Sequence, residues 1–114
     1  MPIMDINIIP IGTKGTSLSK YVACAEKVLM REKDVKMQIT AMGTIVESRS
    51  LKRLLEIAQK MHRAVITSGA KRVLTKIEID ERRDKRISIE SKVKSVKEKF
   101  GKEVKKHGKI SDVR

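Results

Sequence analysis

The spacing of apolar residues changes period along this chain in an order that few folds satisfy. Ile3 to Ile11 is a β-branched run broken by Asp5 and Asn7, with Ile6 and Ile8 on one face, and it reads as a strand. Pro10 has no amide donor and is expected to end it, and Gly12-Thr13-Lys14-Gly15 to turn the chain. Leu18, Tyr21, Val22, Ala25, Val28 and Leu29 then share one helical face, with Ser17 as the candidate N-cap and fraying expected near Lys33 and Asp34. Val35, Met37, Ile39 and Ala41 alternate with polar residues and Met42, which is the period of a half-buried strand. Gly43 permits a reversal, and Thr44 to Glu47 complete a hairpin. Helical spacing returns at Leu51, Leu54, Leu55, Ala58, Met61 and Val65, with Ser48 and Ser50 as rival caps and Gly69 as the stop. Val73, Thr75, Ile77 and Ile79 form a last alternating strand, which runs into the charged stretch from Asp80 to Arg86.

Strand, helix, strand, strand, helix, strand is the ferredoxin-like βαββαβ order. It predicts an α+β sandwich in which two helices cover one face of a four-stranded antiparallel sheet of order 4-1-3-2. A third helix follows, capped by Ser88, with Ile89, Val93, Val96, Phe100 and Val104 in a narrow stripe on a basic rod. That stripe needs a partner surface, either the chain's own sheet or another subunit. Two edge strands and one uncovered sheet face also predict self-association, as a homodimer or homotetramer.

A chain of 114 residues is expected to hold one domain, spanning 1–107, with a frayed tail over 108–114. Its formal net charge of +13 attracts polyanions, and beyond Ala70 there are 16 basic residues against 8 acidic ones. Tyr21 and Phe100 are its only aromatic residues, which argues against a base-stacking nucleic-acid platform. Cys24 is alone, so neither a disulfide framework nor a thiolate metal cage is expected, and it reads as an apolar filler. No leader pattern and no membrane-spanning apolar run is visible, which points to a cytoplasmic protein. One Asn and two Gln beside abundant Lys, Arg and Glu fit a thermophilic source.

Small polar residues and fixed charges gather at the strand ends, a pattern that suits capture of a small polar ligand better than chain-breaking chemistry. Several of these segments carry a resemblance: Ile9-Pro10-Ile11-Gly12, Ser17 to Tyr21, Met42-Gly43-Thr44, Met61-His62, and Gly69-Ala70-Lys71-Arg72-Val73 leading to Arg82-Arg83-Asp84-Lys85. Together, over about Ile6 to Phe100, they resemble the small ferredoxin-like thiamine-binding proteins, long filed as uncharacterised. The resemblance implies binding of thiamine or its hydroxymethylpyrimidine part, without catalysis, by dimers or tetramers. The hairpin departs from that pattern, with Ala41 where the family usually places a proline.

The candidate ligand-binding residues are Pro10, Gly12, Thr40, Met42, Gly43, Thr44, His62, Arg83 and Asp84. His62 falls between Leu51 and Leu55 on its helix, either as a satisfied core histidine or as a wall against a ligand ring. The hydroxyls of Thr40 and Thr44 donate and accept, which suits the amino group and ring nitrogens of a pyrimidine. Gly12 and Gly43 let backbone approach a ligand, though turns use glycine anyway. Ser17 and the first helical amides could hold an anion or simply cap. Arg83 could pair with Asp84 or with a neighbour's carboxylate to order a site at the subunit interface, or the run could be a solvated turn. Asp84 or Glu47 would suit the positive thiazolium. No catalytic set, metal spacing or cofactor loop is evident. Two other functions fit the same sequence: an RNA-binding module held by charge, and a regulatory subunit docking an acidic partner through its third helix.

Overall fold

The computed structural model describes residues 1–15 and 18–107, with 102–107 as backbone only. Seven elements follow one another: β1 (Ile3–Ile11), α1 (Ser19–Met30), β2 (Lys36–Ile39), β3 (Thr44–Glu47), α2 (Leu51–Thr67), β4 (Arg72–Asp80) and α3 (Ile89–His107). The four strands form one antiparallel sheet, β2-β3-β1-β4, which is the expected 4-1-3-2 order read from the other edge. No helix among the described residues is long and apolar enough to cross a membrane.

Residues directly opposite each other in antiparallel strands share a face. Met4 and Ile6 therefore lie beside Val46 and Thr44 on one face, and Ile3 and Asp5 beside Glu47 and Ile45 on the other. The first face is covered by both helices. Its core joins Met4, Ile6 and Val46 of the sheet to Ala25 and Leu29 of α1 and to Leu54, Ile57, Ala58, Met61 and Val65 of α2.

Several boundaries differ from expectation, each for a local reason. Pro10 does not end β1; it is buried and pairs with Val73. Beyond Ile6, β1 has lost β3 as a neighbour, so Pro10 sits on an edge, where a missing donor is tolerated. The second strand stops at Ile39, not Ala41, because Thr40 folds back into a turn. Ser50, not Ser48, caps α2, its Oγ accepting from the Arg53 amide at 3.1 Å. Ser17 lies outside the described residues, as does the predicted tail at 108–114. The first helix begins at Ser19 and ends at Met30, short of Lys33. Gly69 does stop α2, with φ at 118°, a value that strains any residue with a Cβ.

The buried stripe of α2 is Leu54-Ile57-Ala58-Met61-Val65, and Leu51 and Leu55 are exposed on its flank. His62 shares that flank, half-buried, outside the core stripe. The third helix starts against the open sheet face. Ser88 and Ser91 cap it reciprocally, each side-chain oxygen accepting from the other's amide, at 2.9 and 3.0 Å. The Ile89 amide donates to the buried Glu47 Oε1 at 2.7 Å. Further along, Val96 and Phe100 are 53% and 52% exposed, so this part of the expected apolar stripe is uncovered, while the Val104 side chain lies outside the described residues.

Candidate functional site

A cavity of about 340 Å³ lies between α1, the middle of β1 and the β2–β3 turn. Ile6, Ile8 and Ile9 give it a floor, and Leu18, Val22 and Ala25 one wall. Ile39 and the whole turn Thr40-Ala41-Met42-Gly43 form its rim, with Met61 of α2 at the back. Its size is at the lower end of small-molecule pockets, enough for one heterocycle. It exists because β3 stops pairing with β1 at Ile6, so the strand edge from Asn7 onward is left beside the turn.

Thr40 holds the turn by itself. Its hydroxyl donates to the Gly43 carbonyl at 2.8 Å and accepts from the Gly43 amide at 3.0 Å and the Met42 amide at 3.3 Å. This side-chain-to-backbone mimic of a turn supplies the rigidity a proline would give at Ala41. It also commits the Thr40 hydroxyl to the protein. Met42 is 86% exposed and hangs over the rim. Gly43 is needed for closeness, not for an unusual φ. A Cβ there would sit 2.7 Å from both Asn7 Oδ1 and Asp5 Oδ1.

Thr44 is buried, and its hydroxyl donates to Glu26 Oε1 at 2.5 Å. Glu26 comes from the inner face of α1 and is only 9% exposed. Its other oxygen, Oε2, is buried and has no hydrogen-bond partner. An unsatisfied buried acceptor costs about 1–3 kcal/mol, more for a charged group. Asp5 Oδ1 and Ser48 Oγ share that condition; Asp5 lines a second hollow on the opposite sheet face, and of the three only Glu26 lines this cavity. In a chain of net charge +13, no Lys, Arg or His among the described residues lines this cavity, and Glu26 is the one ionisable group among those that do.

The structure therefore brings Thr40, Met42, Gly43 and Thr44 together and leaves the other predicted residues elsewhere. Pro10 is buried further along β1, and Gly12 turns beyond it with φ at 79°. His62 Nδ1 bonds Thr75 Oγ1 of β4 at 2.6 Å, so the histidine is a satisfied link between α2 and the sheet. Arg83 is exposed, and the partner of Asp84 is Arg82, whose Nε donates at 2.9 Å. That guanidinium holds the Asp84 carboxyl below its ordinary range. Glu47 is spent on α3. Cys24 is a free thiol, half-buried. Among the described residues no group of three His, Cys, Asp or Glu could hold a metal ion. A second hollow, of about 390 Å³, lies on the open sheet face beside the first turns of α3, where Lys92 already pairs with Asp80.

Sequence reasoning missed Glu26 and Asn7. Glu26 sits among Ala25, Leu29 and Val22 in the heptad pattern of α1, and that intrusion of an acid into an apolar face was the available signal.

A family model described as thiamine-binding protein matches residues 4–97. The chain belongs to the thiamine-binding protein family. Among family relatives, the UPF0045 protein of Methanothermobacter thermautotrophicus is 43% identical over 84% of this chain and 96% of its own length. The UPF0045 protein YqgV of Bacillus subtilis is 44% identical over 84% of this chain and 94% of its own. The crystal structure of MJ1052 from Methanocaldococcus jannaschii superposes with a TM-score of 0.77 at 38% identity, covering 85% of this chain and 96% of that one. The Thermotoga maritima protein TM0486, provisionally assigned to thiamine biosynthesis or salvage, shares the fold with a TM-score of 0.72 at 20% identity, covering 83% of this chain and 97% of that one.

Proposed function

We propose that this family member binds thiamine, or a related pyrimidine such as hydroxymethylpyrimidine, without transforming it, as a cytoplasmic carrier or sensor. The observation that carries the reading is the cavity behind the β2–β3 turn. It is mostly apolar, sized for one ring, and among the described residues its ionisable lining is one buried acid, in a chain where basic residues outnumber acidic ones. Membership of a thiamine-binding family supports the ligand class. The apolar walls suit the flat faces of a heterocycle, and the acid suits its nitrogen edge. A pocket built to attract phosphate would place cations there, and among the described residues none lines this one.

The working unit in this proposal is a homodimer or homotetramer. Leu74, Ile77 and Ile79 on the edge strand β4, and Val96 and Phe100 on α3, leave apolar surface that a second copy would cover. Isothermal titration with thiamine and hydroxymethylpyrimidine tests the function directly. Saturable binding at micromolar ligand, with a rise in melting temperature, is the expected outcome. Heat signals no greater than dilution for both ligands at millimolar concentration would remove the proposal.

A further inference from the structure

We infer that Glu26, steered by Thr44, is the specificity-determining residue of the cavity, and that it selects a ring edge presenting N–H donors over one presenting a carbonyl. The inference rests on the function proposed above and names which part of the ligand is read. Thr44 occupies Oε1 and so fixes the orientation of the carboxyl group. Oε2 is left buried without a donor, on a residue that lines the cavity. The Thr40 hydroxyl is already committed to its turn. The Thr44 hydroxyl has given its hydrogen to Glu26. Both threonine side chains thus have no hydrogen left to offer, and the carboxyl side asks for one.

A ligand amino group, or a protonated amidine-like ring edge, satisfies Oε2. A ring carbonyl facing the same oxygen sets acceptor against acceptor. A site built around one polar partner rejects the isostere that lacks it strongly, because the buried group is then left unpaired. The general basicity of the chain gives the opposite expectation, since its field attracts anions. Among the described residues that line the cavity Glu26 is the one ionisable side chain, so close-range chemistry decides against an acceptor edge.

The experiment compares thiamine with its 4-oxo analogue, in which a carbonyl replaces the amino group, a ring nitrogen gains the hydrogen of the lactam and the thiazolium is unchanged, and adds benzamidine as an unrelated donor edge. Each is titrated calorimetrically into the wild-type chain and into Glu26→Gln. Glutamine keeps an oxygen for Thr44 and places an NH₂ where Oε2 was. The wild type is expected to prefer thiamine by about tenfold or more. Glu26→Gln is expected to lose that preference or reverse it, with binding of the 4-oxo analogue gained. A gain of that kind cannot come from a misfolded chain.

If thiamine binds the wild type but the 4-oxo analogue binds equally well, the inference is overturned and the proposed function stands. The same holds if Glu26→Gln retains the wild-type preference. If no pyrimidine binds but benzamidine does, and Glu26→Gln abolishes it, the function falls and the role of Glu26 survives. Absence of binding by all three ligands overturns both.

Discussion

The acid inside α1 and the acids of the loop that follows it are treated in opposite ways. Just past its C-terminus, Glu32 and Asp34 are fully met. Lys60 Nζ donates to Glu32 Oε1 at 2.8 Å, Arg53 Nη2 to Asp34 Oδ1 at 2.8 Å, and the same guanidinium also reaches Glu32. On the inner face of the helix, Glu26 is buried with one oxygen unserved. The first arrangement ties the α1–β2 loop to α2 and leaves nothing for a ligand. The second leaves a valence open next to a cavity. An unserved acceptor on a residue that lines the proposed cavity is a sharper sign of a ligand contact than charge alone.

Breaking the cavity is expected to have the largest effect. Gly43→Ala brings a methyl group to 2.7 Å from Asp5 Oδ1 and Asn7 Oδ1. The Asp5 and Asn7 side chains or the turn must shift, costing about 1–3 kcal/mol by overpacking, least where the side chains alone give way. Urea unfolding should show that loss, and calorimetry should show weakened thiamine binding together with it. Next in size is Arg53→Met at the saturated loop. It strips the shared cation from Glu32 and Asp34, so the melting temperature should fall by several degrees. Ligand affinity should stay within about twofold, since Arg53 lines no part of the cavity. An affinity that fell in step with stability would erase the distinction between the two regions.

The acid limb of the stability profile sharpens the comparison further. Lys60 and Arg53 lower the Glu32 pKa from 4.5, and Arg53 lowers that of Asp34 from 3.8. The folded values lie below the unfolded ones, so this contribution is complete above about pH 5 and is lost as pH falls through the lowered values. In Arg53→Met that acid-dependent loss should shrink, measured by melting between pH 6 and about pH 2.5. A smaller change is expected for Lys60→Met, because that lysine is 54% exposed and its pair is screened by solvent. Smallest of all in stability is Glu26→Gln, whose melting temperature should be unchanged or slightly raised. The same change exchanges a buried orphan acceptor for an amide, so its consequence appears in ligand choice.

The fold was legible because its signals are periodic. The alternation in β4 and the helical stripe of α2 each survive a few misplaced residues, and their order leaves one topology. Boundaries set by single side chains were harder to read. The end of β2 depends on the Thr40 hydroxyl finding the Gly43 carbonyl, and the persistence of β1 through Pro10 depends on where β3 stops pairing. At the cavity, the hairpin residues were visible as a cluster of small and polar types. Glu26 was not, because its meaning comes from Thr44, eighteen positions away in sequence, and from a partner it lacks. His62 drew notice for its place between Leu51 and Leu55 on the helix, and Thr75 across the α2–β4 seam holds its Nδ1. The charged run at Arg82 and Asp84 is a local ion pair in an exposed turn.

The hydrogen bond from the Ile89 amide to Glu47 makes the C-terminal rod an inseparable appendage. Clipping the chain upstream of that amide would strand an acid sealed under the sheet, so cloning boundaries drawn at the end of β4 should give an aggregation-prone fragment. Tags and fusions belong at the far tip of the rod, well away from its root.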